Sequence, residues 1–109
     1  MKTIISTPNA PSAIGPYSQA NALDNLIFTS GQIGLIPATG ELAGGDIQTQ
    51  TRQALNNLKA ILEEAGSGMD KVLKTTVLLS DIANFTPMNE VYAEFFSADG
   101  YPSRSAFQV

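Results

Sequence analysis

The period at which apolar residues recur changes several times along the chain, and the changes outline its elements. From Ser103 the chain alternates: Arg104, Ala106 and Gln108 share one face, while Ser105, Phe107 and Val109 share the other. Alternation of this kind predicts a strand. Val72 to Leu79 alternates too, but Val72, Lys74, Thr76 and Leu78 on one face and Leu73, Thr75, Val77 and Leu79 on the other both include apolar groups. A strand with that pattern is expected to be at least partly covered on both sides. Leu26 to Ile33 is rich in β-formers and follows the turn signal Asp24-Asn25. Residues 1–6 predict a short strand stopped by Pro8 and Pro11. The run Ile14-Gly15-Pro16-Tyr17-Ser18-Gln19-Ala20 reads as a rigid turn delivering a tyrosine into an extended segment.

Elsewhere the period is helical. Thr51, Leu55, Leu58 and Leu62, flanked by Ala54, Ile61 and Ala65, form one apolar stripe. Gln48, Arg52, Asn56, Lys59 and Glu63 take the wet side. Asp46 is placed to cap this helix, which runs to about Ala65, and Gly66 to stop it. A second helix is predicted with Thr86 as cap and Pro87 at its first position. Its buried stripe is Met88, Val91, Tyr92, Phe95 and Phe96, and Asp99-Gly100 ends it. Residues 34–46, with Gly34, Pro37, Gly40, Gly44 and Gly45, read as a loop folded back on itself.

The order is three strands, helix, strand, helix, strand. An α+β fold with two helices on one face of a mixed sheet accommodates every apolar stripe. The opposite sheet face keeps apolar residues that nothing else in the chain covers, so self-association is expected.

Composition narrows the chemistry. At 109 residues the chain is expected to be a single domain, 1–109. Six Lys plus Arg against ten Asp plus Glu give a net charge of -4, and the basic residues are scattered singly. Nucleic-acid binding relies on clustered positive charge, and none exists here. There is no cysteine, which excludes thiol catalysis and disulfides, and no histidine, the usual general base. No apolar stretch reaches membrane-spanning length and the N-terminus lacks a signal peptide's apolar core, so a cytoplasmic location is expected.

Individual residues carry weak signals. Arg104 offers a planar fork of donors suited to a carboxylate or phosphate, or else it forms a structural ion pair or a solvated edge charge. Tyr17 is a hydroxyl donor or a packing residue. Lys74 is a catalytic amine or an outward-facing solubiliser, and Asn89 in a first helical turn is ordinarily solvent-facing. Ser30-Gly31-Gln32-Ile33-Gly34 is no phosphate loop, because it lacks the lysine and the Ser/Thr that follows it.

Taken in order, several segments resemble the reactive intermediate deaminase family, also called the YjgF or liver perchloric-acid-soluble protein family. They are Ala13–Ala20, Thr29–Ile33, Gln53–Leu62, Val72–Val77, Asn89–Tyr92 and Pro102-Ser103-Arg104-Ser105. The resemblance implies a chorismate-mutase-like α+β domain that assembles as a homotrimer with sites between subunits. It implies hydrolysis of reactive enamines and imines, such as 2-aminoacrylate and 2-iminobutanoate, to 2-keto acids and ammonia, with no cofactor. Carried over by motif, Arg104 would clamp the substrate carboxylate, with Tyr17 and Ser30 beside it as catalytic groups. Gly31, Lys74, Asn89 and Ala106 would line the substrate pocket. An imine already activated toward water needs orientation and proton handling more than a strong nucleophile.

The sequence departs from the family in two places. Ala106 stands where many members have a cysteine. The family also continues to a last strand bearing a glutamate, so the chain is expected to be C-terminally incomplete relative to it. The alternative reading is a noncatalytic trimer that binds small carboxylates as a sensor. A ribonuclease or translation inhibitor is disfavoured by the missing basic patch and histidine.

Overall fold

The Asp46 carboxylate accepts the backbone N–H and the hydroxyl of Thr49, each at 3.0 Å, and so starts the long helix α1, Ile47–Glu64. The helix ends as the sequence indicates. Gly66 takes φ +81°, its N–H donates to the Glu63 carbonyl, and Ser67 N–H donates to that of Leu62. This paired arrangement satisfies carbonyls that the helix itself leaves open.

The computed structural model describes Met1–Val109. Around α1 lie β1 (Thr3–Ile5), β2 (Ala20–Leu23), β3 (Leu26–Thr29), β4 (Lys74–Leu79), α2 (Phe85–Tyr92) and β5 (Ser103–Gln108). The fold is α+β, with antiparallel and parallel strands and both helices packed. The backbone ladder is divided in two. Strands β1, β2 and β3 form an antiparallel meander, while β4 and β5 pair in parallel.

One helix serves both groups. Leu55 of α1 packs with Leu79, Met88, Tyr92 and Phe96, joined by half-buried Leu58 and Val77. Further along, Ile61 packs with Ile5, Ala10 and Ala20. Leu55, Ile61 and Leu62 are the buried apolar residues of the helix, so the stripe is centred slightly off the Leu58 line. Ile61 is fully buried and Leu58 only half so.

Several boundaries differ from the sequence reading. The strand expected over Leu26–Ile33 stops at Thr29, because its partner β2 begins at Ala20, opposite that residue; farther on, the Ile33 and Leu35 carbonyls accept from the side chain of Asn57 on α1. The strand expected from Val72 begins at Lys74, after a 3-10 turn over Met69–Lys71. Helix α2 starts at Phe85 rather than after Thr86, led in by a 3-10 turn over Ile82–Asn84 that Asp81 caps. Pro87 then falls at the third helical position, where its missing N–H had no intrahelical partner to lose. The helix ends at Tyr92; Phe95 and Phe96 follow in tighter turns, and Phe96 still packs on Tyr92 with ring centroids 4.7 Å apart.

The glycine-rich segment does fold back on itself. Ala43 N–H reaches the Gly34 carbonyl and Ile36 N–H reaches that of Glu41, with a bridge between Leu35 and Leu42. Gly34 is buried against α1, where a Cβ would stand 2.8 Å from the Cα and the carbonyl oxygen of Gln50.

Strand β4 is covered on one face only within the chain. Thr75, Val77 and Leu79 turn toward the helices, whereas Leu78 is 61% exposed. Phe107 on β5 and Ile4, Leu26 and Phe28 in the meander are exposed as well.

Candidate functional site

The parallel register sorts the candidate residues. Arg104 is paired with Thr75, and Lys74 with Ser103. Arg104 and Ala106 therefore lie on the half-buried face turned toward α2. Lys74 lies on the opposite face, where its Nζ donates to Ser105 Oγ at 2.8 Å.

On the helix side, Arg104 Nη1 donates to Asn89 Oδ1 at 2.6 Å. Its guanidinium carbon stands 4.7 Å from the centre of the Tyr92 ring and 5.2 Å from that of Phe85. Both distances are within the range of a cation–π contact, roughly 6 Å. The ion pair of the molecule is elsewhere, Arg52 with Glu94 at 2.8 Å. Arg104 is thus held by an amide oxygen and aromatic faces, and no carboxylate neutralises it. Of the alternatives weighed for Arg104, the structural ion pair is the one this geometry does not show.

Beside the guanidinium a cavity of about 410 Å³ opens, lined by Asn89, Tyr92, Ala93, Tyr101, Pro102 and Arg104. One cation with free donor edges and a partly aromatic wall suits a small carboxylate carrying an apolar group. A larger hollow of about 530 Å³ lies over the wet side of α1, with Asn56, Lys59, Glu63 and Glu64 among its walls. It is a shallow groove between solvated side chains, without the aromatic wall that the Arg104 cavity has.

Tyr17, Ser30 and Gly31 form a separate group at the open end of the β2–β3 hairpin, away from its Asp24-Asn25 turn. Ser30 Oγ donates to the Ser18 carbonyl at 2.6 Å, and Ser30 N–H donates to that of Gln19 at 2.9 Å. With its proton committed, the serine oxygen keeps lone pairs for an incoming donor. Tyr17 is half exposed, its ring against Gly15. Buried Gln19 secures this end: its amide nitrogen donates to the carbonyls of Thr7, Ala10 and Pro11, and its oxygen accepts Thr7 N–H. None of this group lines the Arg104 cavity of the same chain.

Sequence reasoning missed Phe85 and placed Tyr92 only in the core. The available signal was the spacing of Phe85, Asn89 and Tyr92, which sets three side chains on one helical stripe. No group of three acidic, histidine or cysteine residues comes together to hold a metal, and no helix is long and apolar enough to cross a membrane.

The arrangement defines a class, a small α+β domain of chorismate-mutase-like topology with one arginine, unpaired with any carboxylate, facing a cavity. Comparison with known proteins gives the family. Residues 7–109 match the endoribonuclease L-PSP family model. A RutC family protein of Pyrococcus horikoshii is 53% identical over 109 residues, which span all of this chain and 86% of that protein. The human 2-iminobutanoate/2-iminopropanoate deaminase is 47% identical over all of this chain and 79% of its own length. Among solved structures, E. coli TdcF with bound serine superposes with a TM-score of 0.91 at 44% identity, covering 98% of this chain and 85% of that one. The chain belongs to the endoribonuclease L-PSP family, the group of the RidA and YjgF proteins.

Proposed function

We propose that the protein hydrolyses short 2-imino acids and their enamine tautomers, such as 2-iminobutanoate and 2-aminoacrylate, to 2-keto acids and ammonia. The observation that carries this reading is the state of Arg104: oriented, charged, without a carboxylate partner and facing a cavity. The names borne by the human relative and its mammalian counterparts support the same reaction.

In the proposed site Arg104 holds the substrate carboxylate with its free N–H edge, and Asn89 fixes the other side of the fork. Water adds to the imine carbon as the nitrogen gains a proton, giving a carbinolamine. The carbinolamine hydroxyl then gives up its proton as the amine nitrogen takes one up, the C–N bond breaks and ammonia departs, leaving the keto group. An enamine substrate is first protonated at carbon to give the imine. Each transfer involves a group already activated, so oriented hydroxyls and water suffice. Ser30 and Tyr17 are assigned to orient water and relay protons, and Gly31 and Ala106 to give backbone access; Lys74, held to Ser105 on the opposite strand face, is given no part in the chemistry at Arg104.

Because Tyr17 and Ser30 stand apart from the cavity of their own chain, the complete site is assigned to a cleft between copies in a homotrimer. Exposed Ile4, Phe28, Leu78 and Phe107, on the sheet faces away from α1, supply an apolar surface for that contact. Asn21 supports it, since its buried Oδ1 has no hydrogen-bond partner within the chain. Sedimentation equilibrium at micromolar concentration should give three times the 11.5 kDa chain mass; a clean monomer would refute the shared site.

The nuclease reading is poorly served by a chain of net charge -4 with scattered basic residues. The bound serine of TdcF keeps a second reading in view, a carboxylate-binding protein without turnover. Ammonia release from 2-iminobutanoate generated in place separates the two. The wild type should accelerate release and bind 2-ketobutyrate in calorimetric titration, and Arg104→Lys should lose both. Binding without acceleration would favour the sensor. Undiminished binding by folded Arg104→Lys would remove Arg104 from the site.

A further inference from the structure

Resting on the reading of Arg104 as the carboxylate anchor, we propose that Tyr92 is a positioning residue that fixes the direction of the Arg104 fork. Phe85, Asn89 and Tyr92 occupy positions i, i+4 and i+7 of α2, and all three touch the guanidinium. Tyr92 is itself immobilised. It is 6% exposed, its ring lies against Phe96, and its hydroxyl shares a 2.7 Å hydrogen bond with Thr75 Oγ1. Thr75 is the residue paired with Arg104 across the β4–β5 ladder. The contacts close a circuit: strand partner to tyrosine hydroxyl, tyrosine ring to guanidinium, arginine backbone to strand partner.

The circuit has a chemical consequence. An arginine on a strand samples many rotamers, and a ligand must offset the loss of that freedom. Here the rotamer is chosen beforehand. An aromatic ring attracts the cation through its π face and takes none of the five N–H donors. Only Asn89 consumes one. A carboxylate in place of the ring would fix the side chain equally well while discharging it. Ring and amide together leave the guanidinium both oriented and uncompensated, as an anchor for an anionic ligand requires.

Core packing alone also accounts for a buried tyrosine, so the test separates packing from positioning. Calorimetric titration uses 2-ketobutyrate and its neutral analogue 2-ketobutyramide, with thermal melts of every variant. Tyr92→Leu removes the ring together with part of the cavity wall, so both ligands lose contact, but it should weaken the acid about tenfold more than the amide, since only the acid needs the oriented charge. Tyr92→Phe keeps the ring and cuts the bond to Thr75, as does Thr75→Val. Each should weaken the acid by a similar factor of about two to three, and the double variant by no more than either alone. The Phe and Val variants carry the test if Tyr92→Leu does not fold. Equal weakening of acid and amide, unchanged acid affinity, or additive effects in the double variant would overturn the proposal. If Arg104→Lys abolishes binding and the Tyr92 variants do not alter it, this inference fails alone. If the wild type binds no 2-ketobutyrate, the anchor reading fails with it.

Discussion

Asn89 Oδ1 accepts a hydrogen bond from Arg104 Nη1 at 2.6 Å, and it does so as a neutral amide where a carboxylate would fit. That choice sets the charge of the cavity. Asn89→Asp keeps size and geometry but supplies an ion-pair partner. The variant should melt at the same temperature as the wild type or higher, and should bind 2-ketobutyrate at least about tenfold more weakly. Calorimetry beside thermal melts checks both. Wild-type affinity in Asn89→Asp would show that the Arg104 charge is not what holds the ligand.

Asn57 is a polar residue at the centre of the fold, 1% exposed. Its amide nitrogen donates to the carbonyls of Ile33 and Leu35, and its oxygen accepts from Gln53 Nε2. Asn57→Leu should cost about 1–3 kcal/mol by leaving those groups unpaired. Ile61→Ala should cost about 2–5 kcal/mol, and Asn56→Ala, on the exposed side of the same helix, should stay within about 0.5 kcal/mol. Chemical denaturation would show the ranking, and an Asn56 effect as large as that of Asn57 would contradict the helix orientation.

Gly34 and Gly45 make a paired test of close approach. A methyl group at Gly34 meets the backbone of Gln50, so Gly34→Ala should destabilise by about 1–3 kcal/mol. A Cβ at Gly45 meets nothing within 4 Å, and Gly45→Ala should leave stability unchanged or slightly raised. Similar melting temperatures for the two variants would mean that the loop does not rest on α1 in this way.

The caps on α1 and on the turn before β5 make stability depend on acid. The Thr49 backbone amide holds the Asp46 carboxyl below its ordinary value of 3.8, and the Ser97 hydroxyl does the same for Asp99. A lowered folded value means that the unfolded chain binds the proton more readily. The contribution is complete above the ordinary carboxylate value and is lost as pH falls through the folded one. Asp46→Asn keeps a capping oxygen and cannot titrate, so its melting temperature should fall less steeply between about pH 5 and pH 2.5. Parallel curves would remove Asp46 from the acid response.

Helix α1 was legible almost to the residue because its signals are local, a cap at Asp46, a stripe and a glycine stop at Gly66. The alternation of β5 likewise identified which residues share a face with Arg104. Asn57 was not legible, since its partners lie 22 and 24 residues away in a loop. The opposite facing of Lys74 and Arg104 depends on the register of two strands separated by a helix, which neither strand encodes alone. The start of α2 was misplaced because Asp81 caps a preceding turn that the Thr86-Pro87 signal hides. Tyr92 read as core, and it is core; its second contact belongs to a residue on another strand.

The two hydrophobic clusters have α1 as their common member, and this shapes how the molecule comes apart. The meander carrying Ser30 and the ribbon carrying Arg104 share no backbone ladder. A fluctuation that frees either one need not disturb the other, but one that melts the middle of α1 dissolves both. The amides around Leu55–Ile61 should therefore exchange only through global unfolding, and those of β1 and β5 through smaller openings. The helix is the hinge pin of the domain's cooperativity, although none of its residues lines the Arg104 cavity.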